Sequence, residues 1–375
     1  MIVWRTGVVQ ALGRTWEGSQ ELTVRIAASG SSAMVPAGTV VRALAYPELV
    51  GRPQVGEAVC VTVSALARGL GTGGYAMVAA LPDRLPEDPP EGPGHIVKAR
   101  YTPLQTMVLG VDEQESPWHE AMRGADDLSG MPVVVADLHS ALPAVIAGIR
   151  AESTRLGHDA PRVAYVMTDG GALPAWFSRT IAGLRESEWL AGTVTVGQAF
   201  GGDLEAVTTH SGLLAAHVAL GARIAVVAQG PGNLGTGTRW GFSGVAAGEA
   251  LNAAAALGGR PVAALRVSGA DARERHHGVS HHSLTAYGRV ALAPCDVVVP
   301  DLPGDLGERV RSQASALVAP NGRHRAVVVP ADGLAEALWQ VPVPLSTMGR
   351  GLDQDPAAFL ASAAAGVHAA RLLMR

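Results

Sequence analysis

A chain of 375 residues, 48% apolar and 17% charged, is long enough for two domains with a large core and too apolar to be disordered. Its net charge of −4 offers no broad basic face, so nucleic acid is not an expected partner. No apolar run reaches the length of a membrane span, the N-terminus lacks a signal pattern, and Cys60 and Cys295 make no disulfide framework. A cytoplasmic protein with no membrane partner is the expectation.

Residues 1–85 read as short strands separated by Gly and Pro. The candidates are Thr6 to Gln10, Glu21 to Ile26, Val40 to Ala45, Ala58 to Ser64 and Gly74 to Ala80. Several strands without a convincing helix predict a small β-barrel or sandwich. Residues 86–94 are proline-rich and acidic and form a stiff linker. Residues 95–375 make up the second domain.

Just past the linker stands the one lysine of the sequence, Lys98, against 28 arginines. Lysine can lose its proton when buried and act as a base or a Schiff-base nucleophile, which arginine cannot. A purely structural ammonium is the competing explanation. Strand alternation would put Lys98 and Arg100 on one face, where two cations call for an anion or for solvent.

From Met131 onward, apolar strands alternate with helices. Strands are expected at Pro132 to Ala136, Val163 to Met167, Thr193 to Val196, Ile224 to Ala228, Val262 to Val267, Asp296 to Val299 and Ala326 to Val329. Helices are expected at Ala141 to Leu156, Pro174 to Glu186, Leu204 to Leu220, Ser243 to Leu257, Pro303 to Leu317, Leu334 to Trp339 and Pro356 to Leu373. This is the pattern of an α/β domain: a mostly parallel, doubly wound sheet, here preceded by the small all-β domain.

Ligands of such sheets bind beyond the carboxyl ends of the strands. Polar clusters recur there: Asp137 and His139 after one strand, Asp169 after the next, and Gln229 to Thr238 after Ile224 to Ala228. This last stretch joins a strand to a helix through glycines, a setting in which backbone N–H groups can converge on an anion. Gly230, Gly232, Asn233, Gly235, Thr236, Gly237 and Thr238 are its candidate contacts, with Ser243 as the expected helix cap. It matches neither the dinucleotide fingerprint nor the P-loop, so no specificity follows from it. A simple turn needing several left-handed residues is the alternative.

The densest cluster is Arg273 to Ser283, with His276, His277, His281 and His282. Three readings stand side by side: ligands to zinc or another divalent metal, acid/base or phosphate-binding groups, and structural or capping histidines. Their spacing fits no standard metal pattern. Ser280 and Ser283 are candidate caps of a short helix ending near Tyr287. No G-x-S-x-G elbow is present, which argues against a serine hydrolase, and both cysteines read as core residues.

Several stretches together resemble one known group: RALAYPELVGRP (42–53), LGTGGY (70–75), GHIVKARYTPLQ (94–105), VLGVDEQESP (108–117), MPVVVADLHSALP (131–143), GPGNLGTGT (230–238) and GVSHHSLTA (278–286). The chain is similar to an uncharacterised bacterial family common in actinobacteria and defined only as a domain of unknown function. The resemblance implies one two-domain unit and carries no activity, cofactor or catalytic residue.

The expected function is therefore an enzyme, a hydrolase or transferase, acting on a small anionic metabolite, phosphorylated or nucleotide-like. Its catalytic candidates are Lys98, Asp137, His139, Asp169, His277 and His281. Arg100 and the glycine loop would hold the ligand, and a divalent metal would sit on the histidines if one is used. A homodimer is the expected assembly. The competing expectation is a non-catalytic metabolite sensor or assembly protein using the same crevice.

Overall fold

The computed structural model describes residues 1–30, 32–318 and 322–374. The chain divides into two compact units, the first comprising 1–93 and 97–107, the second 94–96 and 108–375.

The first unit is a closed barrel of β1 (Trp4–Trp16), β2 (Ser19–Ser29), β3 (Val40–Ala45), β4 (Ala58–Thr62) and β5 (Ala76–Ala80), in the order β1-β2-β3-β5-β4. The pair β3–β5 is parallel and the remaining pairs are antiparallel. Alternation along β2 turns Leu22, Val24 and Ile26 inward, where they meet Val9, Val41, Ala43, Val59, Val61 and Val78. The five expected strands are all present.

The second unit is built on eight parallel strands: β6 (Pro132–Val135), β7 (Val163–Thr168), β8 (Gly192–Thr195), β9 (Leu204–Glu205), β10 (Ile224–Gln229), β11 (Arg260–Ala264), β12 (Asp296–Asp301) and β13 (Arg325–Pro330). Their order is β9-β8-β7-β10-β6-β11-β12-β13. The central strands are apolar throughout because helices cover both faces. One face packs the helices Leu142–Arg155, Arg179–Glu186, Leu334–Trp339 and Pro356–Leu373; the other packs Thr209–Val218, Ala246–Ala256 and Gly304–Val318.

The chain runs outward from β6 through β7, β8 and β9. It then returns to insert β10 between β7 and β6, and proceeds the other way through β11, β12 and β13. The helix after β6 lies on one face and the helix after β10 on the other. The direction of winding thus reverses around β6, and a crevice opens at the carboxyl ends there.

Pro356–Leu373 is apolar and long enough to cross a membrane by composition, but here it is a core helix, 72% buried. It crosses Leu142–Arg155 at glycines. A Cβ on Gly148 would stand 1.9 Å from the carbonyl oxygen of Ala363, and one on Gly366 would stand 2.0 Å from that of Val145. This contact seats the helix that follows Asp137.

Some expected boundaries shift for local reasons. The helix expected from Leu204 begins at Thr209, because Leu204–Glu205 pairs with β8 and Thr208 supplies the cap through a capping box. The helix expected from Ser243 begins at Ala246 after a tight turn. The Ser243 hydroxyl caps nothing and donates to Asn233 Oδ1 instead. Ser280 does cap its helix, accepting from the His282 amide, and that helix runs on as a π-helical turn to Val290.

Candidate functional site

The crevice floor is Asp137, two residues past β6. It is 2% exposed. On the neighbouring strand, β11, the register pairs Ala263 with Val135, and Arg266 follows the end of β11 by two residues as Asp137 follows that of β6. Arg266 Nη1 lies 3.6 Å from Asp137 Oδ2, and His282 Nδ1 lies 3.5 Å from the same oxygen. These are ion-pair distances, and Oδ2 has no close hydrogen bond among the described residues. Burial raises the Asp137 pKa, but His282 and Arg266 outweigh it and hold the carboxyl below its usual range.

Arg266 Nη1 also lies 3.1 Å from His282 Nδ1. A guanidinium only donates, so in this arrangement Nδ1 is the acceptor. That nitrogen therefore faces a donor at 3.1 Å and a carboxylate at 3.5 Å. Bare, it accepts from Arg266; protonated, it is matched to Asp137. The ring is clamped face to face on Phe242 with centroids 3.8 Å apart.

Two further imidazoles complete the cluster. His276 Nδ1 contacts Ser280 Oγ at 2.8 Å, and the His276 ring lies 5.0 Å from the rings of both His281 and His282. Burial, reinforced by Arg266 and Arg273, lowers the His276 pKa to about 3. Burial, then His282, Arg275 and Arg266, lowers that of His281 to about 4. Both are neutral imidazoles at neutral pH, set in a positive potential.

Two buried tyrosines brace the strand ends. The Tyr287 hydroxyl is 3.0 Å from both the Val135 and the Ala264 carbonyls, tying β6 to β11 just before Asp137 and Arg266. The Tyr165 hydroxyl is 3.1 Å from the Ala228 carbonyl and 2.9 Å from that of Gln229. Gln229 Nε2 donates to the Asp137 carbonyl at 2.8 Å and to Asn233 Oδ1 at 3.0 Å, which fixes the root of the glycine loop.

Asp137 lines two adjoining crevices. The larger encloses about 480 Å³ including its solvent-open mouth and is lined by Ser140, Arg266, Ser268, Asp271, Thr347 and Arg350 among others. The smaller runs under Gln229 and Ser243. The three imidazoles line neither of them; they stand behind Asp137 and Arg266.

The other expected site residues are placed as follows. His139 is buried between Tyr165 Oη (3.0 Å) and Ser178 Oγ (2.7 Å), and burial lowers its pKa to about 4. It is a core histidine rather than a crevice group. Asp169 is exposed and accepts from the Gln198 amide at 2.8 Å, a turn contact. His277 stands apart from the cluster of three, and its carbonyl accepts from Arg309 Nε at 3.1 Å.

In the glycine loop Gly230 is buried, whereas Gly232, Gly235, Thr236, Gly237 and Thr238 are exposed. The Leu234 and Thr236 amides are used inside the loop, bonding to Ser243 Oγ and the Gly241 carbonyl. It is a self-bonded flap rather than an open nest of amides. Lys98 is 1% exposed and has polar interactions of its own; Arg100 is exposed. Both are counted with the barrel unit. They do not share a strand face, because the strand Ile96–Lys98 ends there and Ala99 takes φ +49°.

Arg266 and Phe242 were not singled out in the sequence, and Gln229 entered only as the first residue of the glycine stretch. A lone Arg closing an apolar strand reads as a solvated strand end. What marks this one is that it closes a central strand, which sequence alone does not reveal.

Residues 42–366 match the family described as "Protein of unknown function (DUF3866)". No curated protein and no solved structure matches the chain.

Proposed function

Because the chain belongs to the DUF3866 family, which carries no assigned activity, we propose its function from the site alone: an enzyme acting on a small anionic metabolite, phosphorylated or nucleotide-like, held in the crevice at the end of β6. The observation that carries this reading is the buried triad Arg266–His282–Asp137 at the point where the sheet's winding reverses. Arg266 lines the crevice and supplies the contact to the anion. His282 Nδ1, with a partner ready for either protonation state, handles the proton, and Asp137 stabilises the charged form. The flap 230–238 closes over the ligand. The protein works in the cytoplasm as a homodimer, without nucleic acid or membrane.

A second reading is a non-catalytic sensor of the same metabolite. It is favoured by one observation: the imidazoles back the crevice without lining it.

A thermal-shift screen of phosphorylated metabolites against their dephosphorylated counterparts tests the binding claim. A ligand at about 100 times its Kd stabilises the native state by about 2.7 kcal/mol, a shift of several degrees. The expected result is stabilisation by phosphorylated members only, abolished in Arg266→Gln. Equal stabilisation of Arg266→Gln and wild type would place the ligand elsewhere. Turnover of the stabilising ligand, lost in His282→Asn, separates the enzyme from the sensor.

A further inference from the structure

We propose that His276, His281 and His282 form a binding site for one divalent transition metal ion of the imidazole-preferring class, such as zinc or cobalt, with Asp137 as the carboxylate that orients His282. The inference does not depend on which metabolite occupies the crevice.

The local chain geometry gathers the three rings. Val267–Ser268 and Gly278–Val279 form a two-stranded ladder, and Gly278 reverses the chain at φ +75°. A side chain there would meet Gln313 Oε1 at 2.3 Å from its Cβ. The reversal returns His276 over the start of the His281–Thr285 helix, so residues five and six positions apart in sequence converge while His277 is left out. One ring nitrogen from each of the three lies within 4.8 Å of those from the other two. A tetrahedral ion with metal–nitrogen bonds of about 2.1 Å wants these nitrogens about 3.4 Å apart. The closure needed is small, and His281, the least buried of the three, is the ring free to make it.

The unpartnered atoms point the same way. His281 Nε2 and Asp137 Oδ2 are both buried and have no hydrogen-bond partner among the described residues. Such atoms are costly and uncommon in native proteins. A metal ion takes the His281 Nε2 lone pair directly. It also takes the His282 Nε2 lone pair, which requires the ring's single proton to stand on Nδ1. That N–H then points to Asp137 Oδ2, now 3.5 Å away, forming the carboxylate–histidine–metal arrangement found around metal-bound imidazoles. Ser280 Oγ already holds His276 through Nδ1, leaving its other nitrogen to the ion. No net proton is gained or lost in this change; His282 shifts its proton between nitrogens, and Arg266 gives up its bond to Nδ1. Three neutral ligands leave a fourth position for water or substrate, as in catalytic rather than structural sites.

The test titrates Co(II) into metal-stripped full-length protein, read by visible absorption and calorimetry, with circular dichroism confirming the fold. The expected result is one ion per chain with the d–d bands of a four-coordinate nitrogen site. Binding should be lost in His281→Ala and His276→Ala, weakened 10- to 100-fold in Asp137→Asn, and unchanged in His277→Ala. Absence of Co(II) binding by the folded protein would overturn the proposal. So would binding that survives His281→Ala, or binding that falls as far in His277→Ala, since either would place the ion on other imidazoles.

Discussion

Replacing Asp137 by alanine is expected to destabilise the protein by about 3–5 kcal/mol, the loss typical of removing one partner from a buried ion pair. The carboxylate is 3% exposed at its side chain, and its partners Arg266 and His282 are 10% and 6% exposed at theirs. Removing it strands a guanidinium that cannot lose its proton. Asp137→Asn should cost nearly as much although it keeps the shape, because the charge is what Arg266 requires. The double variant Asp137→Ala/Arg266→Met should cost less than the two single variants summed, since neither charge is then left alone. Urea unfolding of the four proteins gives the cycle. A loss under about 1 kcal/mol for Asp137→Ala would mean that the pair is relaxed by water and does not organise the crevice.

Acid should weaken the fold well above the carboxylate range. The His139 pKa is lowered by burial from 6.5 to about 4 in the folded protein. Between those values the unfolded chain takes up a proton that the native state refuses, so stability is full above pH 6.5 and falls as the pH drops toward 4. At pH 5 this residue alone removes about 2 kcal/mol, from 1.36 kcal/mol per pH unit below 6.5. His276 and His281, lowered to about 3 and about 4, act in the same direction. Asp137 adds its loss only at lower pH, because its folded pKa is also lowered but from a carboxylate value. Unfolding free energies at pH 7.5 and 5.0 measure the effect, and His139→Leu should lessen the difference. Equal stability at both pH values would show that these imidazoles reach solvent.

Strand identities were readable because a two-sided parallel sheet demands unbroken apolar runs, and Pro132–Val135, Ile224–Gln229 and Asp296–Asp301 stand out as such. The order of those strands was not readable. The insertion of β10 between β7 and β6 arises from long-range packing, and that insertion makes Asp137 the floor of a crevice. Asp137, His276, His281 and His282 could be singled out as candidates because charge and imidazole are rare beside apolar strand ends. Sequence spacing could not separate His277 from its neighbours, since one left-handed glycine, Gly278, sends it elsewhere. The conformation of the glycine loop was not readable for a related reason. Glycines that permit an anion nest also permit a flap in which the Leu234 and Thr236 amides bond to Ser243 Oγ and the Gly241 carbonyl.

The proposed function requires that a small anion bind against Arg266 at the end of β6. The most direct measurement is the histidine ring spectrum of the isotopically labelled protein during titration with inorganic phosphate. In the metal-free protein His282 shares a hydrogen bond with Arg266 and should shift as the guanidinium turns to the anion, whereas His139, enclosed by Tyr165 and Ser178, should not move. Saturable shifts at His282 that vanish in Arg266→Gln are the predicted result. A His282 signal that stays fixed at saturating phosphate, or shifts confined to histidines outside the cluster, would contradict it.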